Sequence, residues 1–195
     1  MVARKHTDDQ QDLETVLDLC RRMDRSAQSR LYHRYAPKVF GILYGMLGPN
    51  PDVEDLVQLA WVDLFRGLKS FEGRSSFETW MYRVVVNVAY RHLSKRKRFF
   101  QILEIFQRED IQDNAMTPYD HLQSKQEVQT LYRVLDQVSP KKRAVYVLFE
   151  LEGKGGDEIA EIVGCTENTV WTRLFHARKE VTRKLHKHRL KKGAP

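Results

Sequence analysis

Glu167, Asn168, Trp171, Thr172, Arg173, His176 and Lys179, near the C-terminal end, have side chains suited to reading or gripping nucleic acid. An arginine fork pairs with the acceptor edge of guanine, an asparagine amide with adenine, and a glutamate accepts from the cytosine amino group. Threonine offers a hydroxyl and a methyl contact, and lysine reaches phosphate. They recur at helical spacing on the side opposite Val170, Leu174 and Ala177, so one helix would present them together. The segment from Gly155 to Lys179, GGDEIAEIVGCTENTVWTRLFHARK, has the pattern of a helix-turn-helix. Ile159, Ala160 and Val163 form the inward face of a first short helix, Gly164 suits a left-handed turn, and Thr166 caps the second helix. A helical hairpin with a solvated charged face has the same pattern.

A second cationic group lies in RHLSKRKR at positions 91–98, where Arg91, Lys95, Arg96, Lys97 and Arg98 end a long helix. With 33 Lys and Arg against 26 Asp and Glu, the formal charge is +7. The pI is about 9.4. Such a balance suits a polyanionic partner. The 7 histidines sit mostly in basic stretches, without a paired carboxylate or a nucleophile, so neither enzyme activity nor a metal or other cofactor is expected. Cys20 and Cys165 lie far apart, outside any metal-ligand spacing, and read as reduced, small hydrophobes. No stretch approaches the roughly 18 apolar residues that span a bilayer. The opening MVARKHTDDQQD lacks the apolar core of a secretion signal. A cytoplasmic protein is expected.

The elements that must position these groups are helical almost throughout the 195 residues. Leu13, Val16, Leu17 and Cys20 make one stripe; Leu31, Tyr35, Val39, Ile42, Leu43 and Met46 make the next, ending at Gly48-Pro49-Asn50-Pro51. Asn50 as cap and Pro51 in the first position predict a helix whose apolar face runs from Val53 to Leu68. After the loop Ser70-Phe71-Glu72-Gly73-Arg74, Ser75 and Glu78 have capping-box spacing for a long helix bearing Phe77, Trp80, Met81, Val84 and Val88. From about Phe99 to Lys125 acidic residues outnumber basic ones and Thr117-Pro118 breaks any helix, which predicts a linker with transient helix at 102–106. Val128, Leu131, Leu135 and Val138 restart the pattern, Ser139-Pro140 opens another helix with Val145, Leu148 and Phe149, and the Gly155-Gly156 pair should loosen the start of the helix after it. The expected fold is all-α: two small helical domains, 12–98 and 127–188, joined by a flexible acidic linker at 99–126.

Two runs carry a family resemblance. PDVEDLVQLAWVDLFRGLKSFEGRSSFETWMYRVVVNVAYRHLSKRKR resembles region 2 of the ECF (extracytoplasmic function) sigma factors, and VSPKKRAVYVLFELEGKGGDEIAEIVGCTENTVWTRLFHARKEV resembles their region 4. The resemblance implies a non-enzymatic subunit that binds core RNA polymerase and directs initiation at promoter DNA, with an anti-sigma protein as a further partner and no small-molecule substrate. It assigns Asp52, Glu54, Asp55 and Gln58 to polymerase docking, although an acidic helix start is also favoured by the helix dipole. It assigns Phe71, Ser75, Trp80, Asn87, Arg91, Lys95 and Arg96 to the minus-ten element, Phe71 covering an extruded base. Packing into the core is the alternative for Phe71 and Trp80. The helix from Glu167 to Lys179 is assigned to minus thirty-five. Two departures stand out in the second run: Trp171, in the recognition helix, where the family usually has Lys or Arg, and GKGGDE at 153–158 in place of G-L-S-x-E-E. Where primary sigma factors carry two adjacent tryptophans, this chain has Trp80-Met81. A regulator with a helix-turn-helix output leaves the first run idle; a sigma-mimicking adaptor that only binds an anti-sigma protein has no need of the basic and base-reading residues.

Overall fold

A computed structural model describes residues 2–106 and 123–192. The middle of the expected linker lies outside the described residues. Among those described, every regular element is helical. In chain order they are α1 (Val2–Arg21), α2 (Arg25–Leu47), α3 (Val53–Gly67), a 3-10 turn (Leu68–Ser70), α4 (Phe77–Phe106), α5 (Gln123–Asp136), α6 (Pro140–Glu150), α7 (Gly156–Val163) and α8 (Glu167–Lys192). The all-α expectation holds, and α4 runs unbroken to Phe106, through the segment where transient helix is expected.

Local chemistry starts and stops these helices. Asp24 caps α2, its Oδ1 accepting from the Ala27 N–H at 2.7 Å. At the other end Gly48 has φ +72°, and its N–H closes on the Tyr44 carbonyl at 2.7 Å. The start of α3 falls later than expected. Asn50 does not cap the helix; its Oδ1 accepts from the Asp52 N–H at 2.9 Å in a preceding turn, and regular helix begins at Val53. The start of α4 also shifts by one residue. Ser76, not Ser75, receives the Thr79 N–H at 3.0 Å, and Glu78 pairs with Lys38 of α2 instead of closing a capping box.

Stripes from α1 to α4 meet in one core: Val16, Leu17 and Cys20 with Leu31, Val39, Ile42, Leu43 and Met46, then Leu56, Ala60 and Leu64 with Phe77, Met81, Val85 and Val88. The C-terminal helices do not stand apart from it. Val145, Val147, Leu148, Ile159, Ile162, Val170 and Leu174 belong to the same buried cluster. Gly45 permits close approach of α2 to α6, since a Cβ there would lie 3.0 Å from Val147 Cγ1. Among the described residues one charged side chain is buried: Arg143 is 1% exposed and donates to Asp136 Oδ1 at 2.6 Å across the α5–α6 corner.

Candidate nucleic-acid interface

The N-terminal half presents two distinct polar surfaces. Asp52, Glu54, Asp55 and Gln58 are all exposed at the start of α3, opposite buried Val53, Leu56 and Ala60. Asp52 also approaches His92 Nε2 of α4 at 3.5 Å. Burial lowers the His92 pKa despite that carboxylate, so the ring favours its neutral form.

The other surface is built around Phe71. Its loop is held from behind by Arg21, the last residue of α1, which donates to the Leu68 carbonyl at 3.2 Å and to the Phe71 carbonyl at 3.0 Å. The Phe71 ring is half-buried, 5.1 Å from Trp80 and 6.1 Å from Phe77 between centroids. Trp80 in turn lies on the last turn of α3, where a Cβ on Gly67 would come within 2.9 Å of its Cζ2. Both aromatics therefore touch the core while keeping part of their surface in solvent. Trp80, Asn87, Arg91 and Lys95 follow at helical spacing on α4, and Asn87, Arg91 and Lys95 are exposed. Phe71 thus stands at one end of a line that finishes in cations. Arg91 is tied back to Asp63 of α3 by an ion pair, and Tyr90, Arg91, Ser94, Lys95 and Arg98 line a shallow concavity along the helix. Ser75 is half-buried beside the loop, and Arg96 is half-buried, turned out of this line.

The helix-turn-helix forms as its sequence predicts, with one change of face. Gly164 takes the left-handed conformation (φ 65°, ψ 52°), and the Cys165 N–H reaches the Ala160 carbonyl at 3.1 Å. Thr166 caps α8 by accepting from the Thr169 N–H at 3.3 Å. The fully inward residues of α7 are Ile159 and Ile162, whereas Ala160 and Val163 are half-buried. Nor is the start of α7 loose. Glu158 accepts from the Gly155 N–H at 3.1 Å and from Lys154 at 3.0 Å, and the backbone bond holds its carboxyl below the usual range. On α8, Val170, Leu174, Ala177 and Val181 are buried, while Glu167, Asn168, Trp171, Thr172, His176 and Lys179 are exposed. Arg173 is half-buried, its Nη1 3.5 Å from Cys165 Sγ.

What sequence reasoning missed is a second working face on α4. Tyr82 donates to Glu152 Oε2 at 2.8 Å while Lys154 Nζ lies 4.8 Å from its ring centroid, and Arg83 donates to the Glu161 carbonyl at 2.7 Å. Burial, followed by the Glu152 bond, drives the Tyr82 pKa strongly upward. About two turns further on, burial pushes the Tyr90 phenol up to about 12, with the Arg173 charge acting the other way. Val86 shares this stripe with Arg83 and Tyr90 and is buried. The helix that carries the Trp80–Lys95 line is thus clasped from the opposite side by the helix-turn-helix. Among the described residues no helix is long and apolar enough to cross a membrane.

A helix-turn-helix with an exposed polar recognition face, joined to a helical unit that displays aromatics and cations, is the architecture of a DNA-binding protein. Comparison with known proteins narrows this. Residues 31–99 match the family model of sigma-70 region 2, and residues 129–181 match that of sigma-70 region 4. The chain is 29% identical over 180 residues to the ECF RNA polymerase sigma-E factor of Haemophilus influenzae, covering 88% of this chain and 94% of that protein. It is 28% identical over 184 residues to the RNA polymerase sigma-H factor of Pseudomonas aeruginosa, covering 91% and 93%. Among solved structures, the fold matches CnrH in complex with the cytosolic domain of CnrY (TM-score 0.61, 20% identity, 88% of this chain and 96% of that one). It also matches the sigma factor RpoE in complex with the anti-sigma factor NepR from Bartonella quintana (TM-score 0.61, 23% identity, 81% and 96%). The chain belongs to the ECF sigma factors of the sigma-70 family, which direct RNA polymerase to promoters.

Proposed function

We propose that the two surfaces divide the work of promoter recognition, with no catalytic step of the protein's own. Residues 12–98 act as the polymerase-docking and minus-ten unit, 127–188 as the minus-thirty-five unit, and 99–126 as the linker between them. The observation that carries this reading is that Phe71, in the loop before α4, packs on Trp80, from which Asn87, Arg91 and Lys95 continue along one side of α4. An aromatic that covers an unstacked base, followed by an amide and then cations for phosphate, suits the junction between melted strand and duplex. The protein acts in the cytoplasm, where core polymerase is. An anti-sigma protein is a further partner, as it is for the sigma factor RpoE in its complex with NepR. The test is run-off transcription with purified core polymerase, the full chain and a promoter mapped in vivo. Specific transcripts are expected; their absence, with the chain binding an anti-sigma protein normally, favours the adaptor that only mimics a sigma factor.

Two substitutions probe the division. The double variant Asp55→Ala/Gln58→Ala removes exposed side chains only, so the thermal midpoint should stay within about 1–2 °C of the parent. Its pull-down of core polymerase should fall several-fold, and retention at the parental level would remove this surface from docking. Arg173→Ala should weaken binding of promoter duplex by about 1 kcal/mol, at the lower end for an arginine–guanine pair because the guanidinium also leans on Cys165. Competition against single-base variants separates the modes. A loss at one base pair marks a base contact, whereas a uniform loss with a shallower salt slope marks phosphate.

A further inference from the structure

The two departures noted in the C-terminal run, Trp171 and the glycine-rich GKGGDE, meet at one point in space. The Trp171 ring stands edge-on to Phe149 of α6, centroids 5.6 Å apart at 73°. Its far edge lies over Gly156 of α7. A Cβ added to Gly156 would come 2.6 Å from Trp171 Cζ2 and 2.9 Å from Glu167 Oε1, closer than van der Waals contact permits. Glycine at 156 is therefore what makes the slot, and tryptophan is what fills it. From that slot the indole Nε1 donates to Glu167 Oε1 at 3.0 Å. The ring is still 44% exposed, so slot and carboxylate sit at the surface where α8 begins.

Glu167 is the first residue of α8, and in helix-turn-helix proteins the first turn of the recognition helix enters the major groove. A carboxylate only accepts hydrogen bonds, and the indole takes one acceptor site of Oε1 and fixes the group, so the other acceptor sites can meet a base. A lysine or arginine at 171 would seek the acceptors of guanine; Trp171 and Glu167 together offer the reverse polarity. We infer that Gly156, Trp171 and Glu167 form one specificity element, in which Trp171 positions the Glu167 carboxylate to accept from a cytosine amino group at one minus-thirty-five position. The inference rests on the assignment of α8 to minus thirty-five.

The experiment is initiation by core polymerase with the full chain on a promoter library randomised across the minus-thirty-five element. The parent should favour cytosine at one position. Trp171→Phe keeps an aromatic ring beside Phe149 and removes the N–H, and Glu167→Gln turns the carboxylate into an amide. Each should flatten the preference at that same position by about fivefold or more. Gly156→Ala should do the same by displacing both the indole and the Glu167 carboxylate, and should add nothing when Trp171 is already alanine and the carboxylate already released. Flattening at different positions, a preserved preference in Trp171→Phe, or additive effects of Gly156→Ala and Trp171→Ala would overturn the inference. Equal thermal midpoints exclude misfolding for the Phe and Gln variants. A parent that initiates selectively, with minus-thirty-five preferences indifferent to all three positions, sinks this inference alone. A parent that initiates with no minus-thirty-five preference sinks the assignment of α8 as well.

Discussion

Asp136→Ala is expected to lower the thermal midpoint of the full chain by roughly 5–10 °C, the largest stability effect of any single polar substitution considered. Arg143 is 1% exposed, and Asp136 Oδ1, at 2.6 Å, is its ionic partner among the described residues. Its Nε and Nη2 atoms are buried without a hydrogen bond there. Removing one partner of a buried pair costs about 3–5 kcal/mol, because a charge is left in low dielectric. Asp136 is itself 40% exposed, which brings the expectation down to about 2–3 kcal/mol. Asp136→Asn keeps an acceptor and should lose less. The more telling comparison is Asp136→Ala/Arg143→Met, which removes the stranded charge and should melt above Asp136→Ala alone. If Asp136→Ala melts with the parent, the guanidinium finds another partner or water.

Phe71→Ala should reduce open-complex occupancy about tenfold while leaving the closed complex largely intact. Base–aromatic stacking contributes roughly 1–3 kcal/mol per base, and the cations at 91–98 within α4 and the recognition helix still hold duplex. Because the ring also rests on Trp80 and Phe77, alanine will lower stability too. Phe71→Leu separates the effects, since it keeps apolar volume but lacks a π face. A leucine variant that melts near the parent yet opens promoters poorly supports base capture. Recovery on a template with a pre-melted bubble should be partial for both variants. A leucine variant with parental opening would make Phe71 a packing residue.

Helix number, order and type were legible because apolar residues recur three and four apart over long stretches, and nothing in this chain competes with that signal. Helix starts were legible only to within a few residues. Ser75 and Ser76 can both cap, and Asn50 and Asp52 both carry a suitable oxygen, so tertiary contacts such as Lys38 to Glu78 decide between them. The candidate residues on α3 and α8, Arg173 apart, were legible as exposed because each faces away from a clear stripe. The second face of α4 was not. Val84, Val85 and Val86 are consecutive, so a single stripe can be drawn through one of them while the others look incidental. Helices apolar on more than one side are buried on more than one side, which was the available signal. Arg143 was hidden for the opposite reason: within Lys141-Lys142-Arg143 it reads as one more solvated cation. The meeting of Trp171 with Gly156 joins residues 15 positions apart in different helices, a pairing that only the turn at Gly164 creates.

The two-sided burial of α4 bears on how this protein should be handled. Cutting the chain after α4 would strip Val86 of its cover and leave Tyr82 and Arg83 without Glu152 and the Glu161 carbonyl. The liberated N-terminal half would then carry a new apolar strip beside the basic run at 91–98, a surface prone to self-association. The released C-terminal half would likewise expose the parts of α6 and α7 that α2 and α4 cover, including the neighbours of Gly45. Each fragment should therefore be stickier, and less soluble at equal concentration, than the intact chain.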